Sequence, residues 1–546
     1  MPEESVASAT AVARPSAPFF TLRPGLAARL GLEIVAMTAI FAAAGAWPTP
    51  DTNEAHYLAR ARHSWDPSWI AGDFFLESPE AHGVFYRLLG PLAAALPLDQ
   101  AAWIGRWLGW ASLAAGFSFL ASAILPTGGS RIVAAALFSL AARHTPAAGE
   151  WVIGGCESKV FAWALVLVGV GWFVRGRLAI AWAYLGAATA LHPLVGGWAM
   201  VALVPAGATD FFFQRRWPGG RGVTIATGVA LAAGVGLAAL GVVPALGLSA
   251  GTDNAERASA TFTYVVERLP HHLLVRTFAE GLVARHCLAV FLWWLLLPLA
   301  EKSPARSRLA AFTTASLGIS LAGCAVSLLE LAWPSAAHAL LRYYWFRLAD
   351  GIVPLVLALS ATAALKEGLG GPARRRLGWI AVIGMLAVDL AFECRHWPLP
   401  GRATPVARAD QKVQAAAWRE VCAWVRDHTP PDACFLTPRG ATSFHWYTGR
   451  REVVNWKDIP QDTRSILAWR ERIVACFSAD GSLKSLVTST AALGPDRLLA
   501  AARKYGADHI IVPVNALEPF PLPSEPLHVA GGYAVHRLNP PAATPP

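Results

Sequence analysis

"VTIATGVALAAGVGLAALGVVPALGL", Val223 to Leu248, holds no charged residue. A stretch this apolar buries itself as a helix across a bilayer, because about 20 helical residues span the hydrocarbon and satisfy every backbone N–H and C=O internally. Runs of like texture lie at 28–47, 101–125, 130–144, 158–174, 178–192, 194–213, 222–248, 286–300, 308–333, 342–364 and 376–393. They predict a mainly α, polytopic membrane protein with about 11 transmembrane helices. Composition agrees: 55% of the 546 residues are hydrophobic, 15% are charged and the mean hydropathy is +0.41, whereas soluble domains carry about 25% charged residues. The section "AHGVFYRLLGPLAAALPL", Ala81–Leu98, is short and holds two prolines, so it reads either as an interfacial helix or as one more span.

The net charge of +10 does not indicate nucleic acid, because the basic residues sit in short connections between apolar runs. Four such connections are "RGR" (175–177), "QRRWPGGR" (214–221), "EKSPARSR" (301–308) and "KEGLGGPARRR" (366–376). The positive-inside rule puts them and the N-terminus in the cytoplasm. Asp51–Glu80, Glu150–Lys159, Ser249–Arg285 and Pro334–Leu341, mixed or acidic and rich in His, then lie outside. The expected organisation is a disordered cytoplasmic tail (1–27), a transmembrane domain (28–393) with an outer loop (48–100), an extracytoplasmic α/β domain (394–540) and a disordered tail (541–546). The first apolar run is too long for a signal-peptide core and reads as a retained span. The cell inner membrane is the expected location.

The α/β expectation rests on two helix–turn–strand patterns. In "DQKVQAAAWREVCAWVRDHTPPDACFLTP", Trp418, Val421, Cys422 and Val425 share one helical face, and a Pro-Pro stop and a short strand follow. "LLAAARKYGADHIIVPV" repeats the pattern with a glycine at the helix end. Seven cysteines show no CxxC or zinc spacing, although Cys422, Cys434 and Cys476 could include a disulfide in an oxidising compartment.

Polar residues crowd at four places beside the spans. "PTPDTNEAHYLARARHSWDPSW", Pro48–Trp69, has the spacing of a capping box, with Asp51 as N-cap and Glu54 reaching back. A capped interfacial helix explains it, and so does a carboxylate, Glu54 or Asp51, acting as a general base at the membrane surface. "GDFFLESPEAH" supplies Asp73, Glu77, Glu80 and His82, which a solvated loop would explain. "GEWVIGGCESK" sets Glu150, Glu157 and Lys159 around a Gly-Gly turn, where they could pair with one another or bind a divalent metal ion or a diphosphate. The basic stretches "FTYVVERLPHHLLVRTF" and "HALLRYYWFRLADGIVP" offer His271, His272, Arg342 and Arg347. Arginine entering an apolar helix usually faces a cavity, and its planar fork matches phosphate; snorkelling to headgroups is the plainer account. Adjacent histidines cannot face one way on a helix, so metal binding there is disfavoured. No GxxxxGK[ST], HExxH, GxSxG or GxGxxG motif occurs, so no nucleotide cofactor is indicated.

This ensemble resembles the GT-C superfamily of integral-membrane glycosyltransferases, with protein mannosyltransferases and lipid A aminoarabinose transferases as the nearest comparison. Their first outer loop carries Asp-Glu and then Tyr on a juxtamembrane helix, and "NEAHYLARA" is similar, with Glu54 on the second acid and Tyr57 on the tyrosine. The first acid, usually the catalytic one, is replaced by Asn53. The chain also resembles a group of large bacterial multi-pass proteins sharing "GEWVIGG", "ERLPHHL" and "HWYTGRREVVNWKDIP", a likeness that implies no particular activity. The GT-C resemblance implies a polyprenyl-phosphate sugar donor, entering from the bilayer, and an extracytoplasmic acceptor. Arg342 and Arg347, with Tyr57, Lys159, His271 and His272, would bind the donor, and Glu54 or Asp51 would take the acceptor's proton. "SFHWYTGRREVVNWKDIP" would line an acceptor cleft or form a core turn of the α/β domain. A flippase or transporter, and a non-catalytic envelope scaffold, are the competing classes; a transporter is expected to show internal repeats, and none is evident.

Overall fold

The computed structural model describes residues 24–214, 224–368, 370–516 and 525–538; the tail expected at 541–546 and most of that at 1–27 lie outside these residues. The chain opens with α1 (Pro24–Gly45), α2 (Glu54–Trp65) and α3 (Gly83–Ala95). It continues through α4 (Leu98–Ala121), α5 (Gly128–His144), α6 (Ser158–Val174), α7 (Leu178–Leu191), α8 (Pro193–Gln214) and α9 (Thr224–Gly247). The short α10 (Asn254–Phe262) and α11 (Pro270–Leu273) precede α12 (Glu280–Leu296) and α13 (Pro304–Leu329). A short α14 (Pro334–Leu341) then leads to α15 (Arg347–Glu367) and α16 (Pro372–Glu393).

Each of the eleven apolar runs is occupied by one of these helices, and among the described residues six helices are long and apolar enough to cross a membrane on length and composition alone. The protein is therefore polytopic, as its sequence predicts. Segment 81–98 holds α3, a short apolar helix of 13 residues, about 20 Å at 1.5 Å per residue, which packs against α2. The span expected to start at 342 starts at Arg347, because the chain is broken between α14 and α15, where Tyr344 has φ 55°.

The bundle core is aromatic and aliphatic, with Phe41, Trp110, Phe117, Phe138, Trp163 and Phe173 all buried. Where helices approach most closely the residues are small, as packing without a hydrophobic driving force requires. A Cβ on Gly186 of α7 would lie 2.1 Å from the Gly234 carbonyl oxygen of α9. Gly186→Leu is therefore expected to force the two backbones apart and lower stability by about 1–3 kcal/mol or more. A melting temperature of the solubilised variant equal to wild type would show that this pair is not packed so closely. Buried ion pairs fix further helices: Glu33 of α1 to Arg131 of α5, and Arg143 of α5 to both Asp389 and Glu393 of α16.

The C-terminal region forms the small α/β domain. Its helices are α17 (Ala415–His428), α18 (Phe444–Thr448), α19 (Thr463–Phe477) and α20 (Pro495–Tyr505). Its strands are β1 (Cys434–Leu436), β2 (Arg451–Glu452), β3 (His509–Pro513), β4 (His528–Ala530) and β5 (Tyr533–Arg537). The sheet order is β2-β1-β3-β5-β4, parallel through β2, β1 and β3 and antiparallel through β3, β5 and β4. Trp418, Val421, Cys422 and Val425 are the buried face of α17, and Gly506, at φ 68°, ends α20 before β3. All seven cysteines are free thiols, so no disulfide links Cys422, Cys434 or Cys476.

This domain sits on the loops 48–100 and 248–278. Arg470 pairs with Glu267 at 2.8 Å, Thr463 N–H donates to Leu248 C=O at 3.1 Å, and Arg268 donates to Trp456 C=O at 2.9 Å. The seat matters for function, because it closes over the polar side chains beside α2.

Candidate functional site

The stretch that opens α2 forms half of the expected capping box. Glu54 reaches back to the Asp51 N–H at 2.7 Å, but the Asp51 carboxylate accepts from Thr52 N–H and not from the N3 amide. Asn53 is the residue before the helix. Glu54 itself is fully buried and accepts four hydrogen bonds. Arg106 of α4 grips it through Nε at 2.6 Å and Nη2 at 2.5 Å, and the Asp51 and Cys156 amides complete the set at 2.7 Å each. Burial alone would raise its pKa, but the guanidinium and the hydrogen bonds hold it below the usual carboxylate range. Glu54 is thus the rivet between α2, α4 and the 149–157 loop. That loop carries glycine for a reason: a Cβ on Gly155 would lie 2.6 Å from Glu54 Oε1. Asp51 is also buried, with its second oxygen 3.4 Å from Arg408. The sequence expectation of a base at Glu54 or Asp51 therefore meets an obstacle, since Glu54 has no free lone pair in which to take a proton.

Five of the other expected residues do converge. Lys159 stands 3.5 Å from Glu150 and 3.6 Å from Glu157, with its ammonium 3.3 Å from the centre of the Trp151 ring. Arg347 pairs with Glu150 at 2.9 Å and reaches His192 at 3.4 Å. His272 is anchored on Ala148 C=O at 2.6 Å, facing Glu150 and Arg347. Its pKa is pushed down to about 3, first by burial and then by His271, so it is neutral near pH 7. Tyr57 packs beside His82, whose ring lies 4.9 Å from that of His192, and its hydroxyl is held neutral by burial and by Glu157. The His271 ring lies against that of His272, tilted by 45° with centroids 4.1 Å apart, and faces Arg268, Lys457 and Lys412. Asp350 of α15 holds the 147–150 loop beneath this cluster, accepting from the Ala147, Ala148 and Glu150 amides. Arg342 is left out. It ends α14 and, among the described residues, makes no side-chain hydrogen bond or ion pair with the cluster.

The C-terminal domain supplies residues that sequence reasoning did not single out. Lys457 lies on a turn whose Lys457 and Asp458 amides both donate to Asn455 Oδ1 at 2.9 Å. Its ammonium is among Arg268, Glu157, Asp458 and Lys159, and burial with Arg268 lowers its pKa to about 8. Behind it runs a buried polar chain: His56 to Asp458 at 3.1 Å, Asn455 to Asp458 and Glu452 at 2.7 and 2.6 Å, and His445 to Asp73 at 2.8 Å. The one available signal was the Trp- and Arg-rich stretch 443–460, which in the fold forms buried turns of the domain facing α2.

Within that chain His445, Glu452 and Asp458 hold ligand atoms within 4.8 Å of one another, the one spacing among the described residues that suits a divalent ion. Three hard or borderline donors fit such an ion by type. The Asn455 amide already bridges the two carboxylates, however, so the protein neutralises the site by its own hydrogen bonds.

The polar chain makes docking of the domain depend on pH. Burial would depress His445, but Asp73 overrides it and raises the pKa to about 9, against an ordinary 6.5. The folded state keeps that proton where the unfolded chain has lost it, so its stabilisation is complete below pH 6.5 and is lost as pH rises through 9. Lys457 acts oppositely between about 8 and 10.5, because the folded state sheds its proton first. Hydrogen-exchange protection of residues 443–460 is therefore expected to fall from pH 6.5 to 8 and then level off. In Lys457→Met it should keep falling to pH 9; a flat profile in wild type would mean that His445 is uncharged in the folded protein.

A second feature adjoins the cluster. A cavity of about 350 Å³ is walled by Trp47, Arg143, Glu150, Trp151, His396 and Arg408, among others. Glu150 and Trp151 thus belong both to the cavity wall and to the cluster around Lys159.

The family described as a domain of unknown function, DUF6798, matches residues 416–476, which include the whole 443–460 stretch. No curated protein matches the chain by sequence. Among solved structures, the chain is similar to the Archaeoglobus fulgidus oligosaccharyltransferase in complex with Zn and sulfate, at TM-score 0.41 and 10% identity over 89% of this chain and 68% of that one. It is also similar to ArnT from Cupriavidus metallidurans in the apo state, at TM-score 0.38 and 15% identity over 96% of this chain and 100% of that one.

Proposed function

We propose that the protein is a membrane glycosyltransferase that takes a sugar from a polyprenyl-phosphate donor and passes it to an acceptor on the side of the bilayer carrying the C-terminal domain. On this reading that side is extracytoplasmic and the membrane is the cell's inner one. The observation that carries the reading is the surplus of cations in the buried cluster. Arg347, Lys159, Lys457 and Arg268 are four cations facing three carboxylates, Glu150, Glu157 and Asp458, with His271 and His272 beside them. Buried cations in excess call for an anion, because an unpaired charge away from water is costly. At the end of transmembrane helices the anion at hand is a lipid phosphate.

Lys159 and Arg347 hold the phosphate by charge-assisted hydrogen bonds and stabilise the charge that grows on it as the glycosidic bond breaks. His272, neutral and with its one N–H given to Ala148 C=O, presents Nε2 as an acceptor for a sugar hydroxyl. Tyr57 and the Trp151 face bound the sugar. Were a divalent ion part of the machinery, His445, Glu452 and Asp458 are the residues that would hold it, and it would supply further charge stabilisation.

The test is binding of undecaprenyl phosphate to the detergent-solubilised full-length protein, by native mass spectrometry, with undecaprenol, which lacks the phosphate, as the comparison. Retention of the phosphorylated lipid only is the expected result. Equal retention of both would remove the anion site and the reading with it.

A further inference from the structure

Glycosyl transfer needs a carboxylate able to accept the acceptor's hydroxyl proton; of the buried carboxylates around the cluster, Asp350 is held by three backbone amides and Asp458 is shared by His56 and the Asn455 amide, which leaves four. Their partners separate them. Glu54 is saturated by four donors, two of them from one guanidinium. Asp51 is turned toward Arg408. Glu150 is bound to Arg347 at 2.9 Å and shares Lys159. Glu157 alone makes no contact with a guanidinium. It accepts from two neutral donors, the Asn53 amide at 3.0 Å and the Trp151 indole at 3.3 Å, while the Lys159 ammonium stays 3.6 Å away. It precedes α6 but does not cap it, so no helix amide claims its oxygens.

Its position fits a proton acceptor as well. Glu157 is fully buried. Lys159 and Trp151 pack on each other beside it, and Trp151 is also a wall of the 350 Å³ cavity. Glu157 sits behind the Trp151 wall of that cavity, so an acceptor hydroxyl reaches it by taking the place of the Trp151 indole hydrogen bond. Burial, opposed only in part by Lys159 and Asn53, raises the basicity of this carboxylate, as the task needs.

We propose that Glu157 is the catalytic base of this protein, with the Asn53 amide aiming its carboxylate at the acceptor hydroxyl. The assignment rests on the glycosyltransferase reading above. In the step, the acceptor oxygen forms a bond to the anomeric carbon and its proton passes to a Glu157 oxygen. The bond from the anomeric carbon to the phosphate oxygen breaks, and its electron pair leaves with the polyprenyl phosphate, between Lys159 and Arg347. The proton on Glu157 returns to water when the products depart.

The experiment offers the solubilised full-length protein a panel of synthetic polyprenyl-phosphate hexoses and pentoses, with envelope extract as acceptor source, and measures free polyprenyl phosphate. Glu157→Gln is expected to slow release by about 10²-fold or more while its affinity for undecaprenyl phosphate stays within about threefold of wild type. Returning the carboxylate from the other side of the same hydrogen bond, in Asn53→Asp with Glu157→Gln, is expected to recover at least about tenfold of the loss. A part played only in packing would lower affinity and melting temperature together and would not separate kcat from binding. Turnover by Glu157→Gln at the wild-type rate would overturn the assignment and leave the transferase reading standing. If wild type neither binds nor consumes any donor, the reading fails and the assignment falls with it.

Discussion

Arg106→Ala is expected to yield protein that aggregates on solubilisation or melts far below wild type. The change leaves Glu54 fully buried with its charge uncompensated, since no other cation lies within ion-pair distance of it among the described residues. Removing one partner of such a pair costs about 3–5 kcal/mol, which is a large share of the 5–15 kcal/mol that holds a typical domain together. The damage should be local first. Glu54 also accepts the Cys156 amide, and Arg106 also donates to Trp47 C=O, so the 149–157 loop and the end of α1 lose their common anchor. Replacing both partners by Met should restore much of the loss, because an apolar pair carries no desolvation cost. Fluorescence-detected size exclusion against temperature reads all three proteins. If Arg106→Ala melts within about 1 kcal/mol of wild type, the pair is not the rivet described above.

Lys159→Ala combined with Arg347→Ala should abolish retention of undecaprenyl phosphate without unfolding the bundle. Each removes a charge-assisted hydrogen bond worth roughly 1.5–3 kcal/mol, so the pair should weaken binding on the order of 10²- to 10⁴-fold. Both residues pair with buried Glu150, so Glu150→Gln is added to the double variant to leave no uncompensated carboxylate there, and its melting temperature is read beside binding. Arg342→Ala is the telling comparison. The sequence pairs it with Arg347, but α14 carries it away from the cluster, so it should bind the lipid as wild type does. The reverse outcome, with loss in Arg342→Ala and retention in the triple variant, would move the phosphate site to the α14 end.

How much of this was legible in the chain varies with the range of the interaction. The buried face of α17 could be read residue by residue, since Trp418, Val421, Cys422 and Val425 recur at helical spacing and burial follows period. Lys159, His272 and Arg347 were legible as charges where apolar runs end, because charge at a membrane boundary always asks for a partner. The start of α15 was not. Arg342 and Arg347 look alike in sequence, and only the break at Tyr344 separates them. Glu54 shows the same limit from the other side. Its capping role is local and was half right, whereas its burial against Arg106 depends on a residue 52 positions away.

By itself, then, the sequence determined the class of protein, the places of its helices and the presence of a small α/β domain. These follow from hydropathy and periodicity, which act over a few turns of chain. Only the tertiary structure decided which carboxylate is bound and which is available, because that depends on partners brought from elsewhere. Asn53 meets Glu157 across 104 residues, and His56 meets Asp458 across 402. No local pattern encodes such pairs. They exist because the C-terminal domain closes over the juxtamembrane helix and removes water from the charges between them.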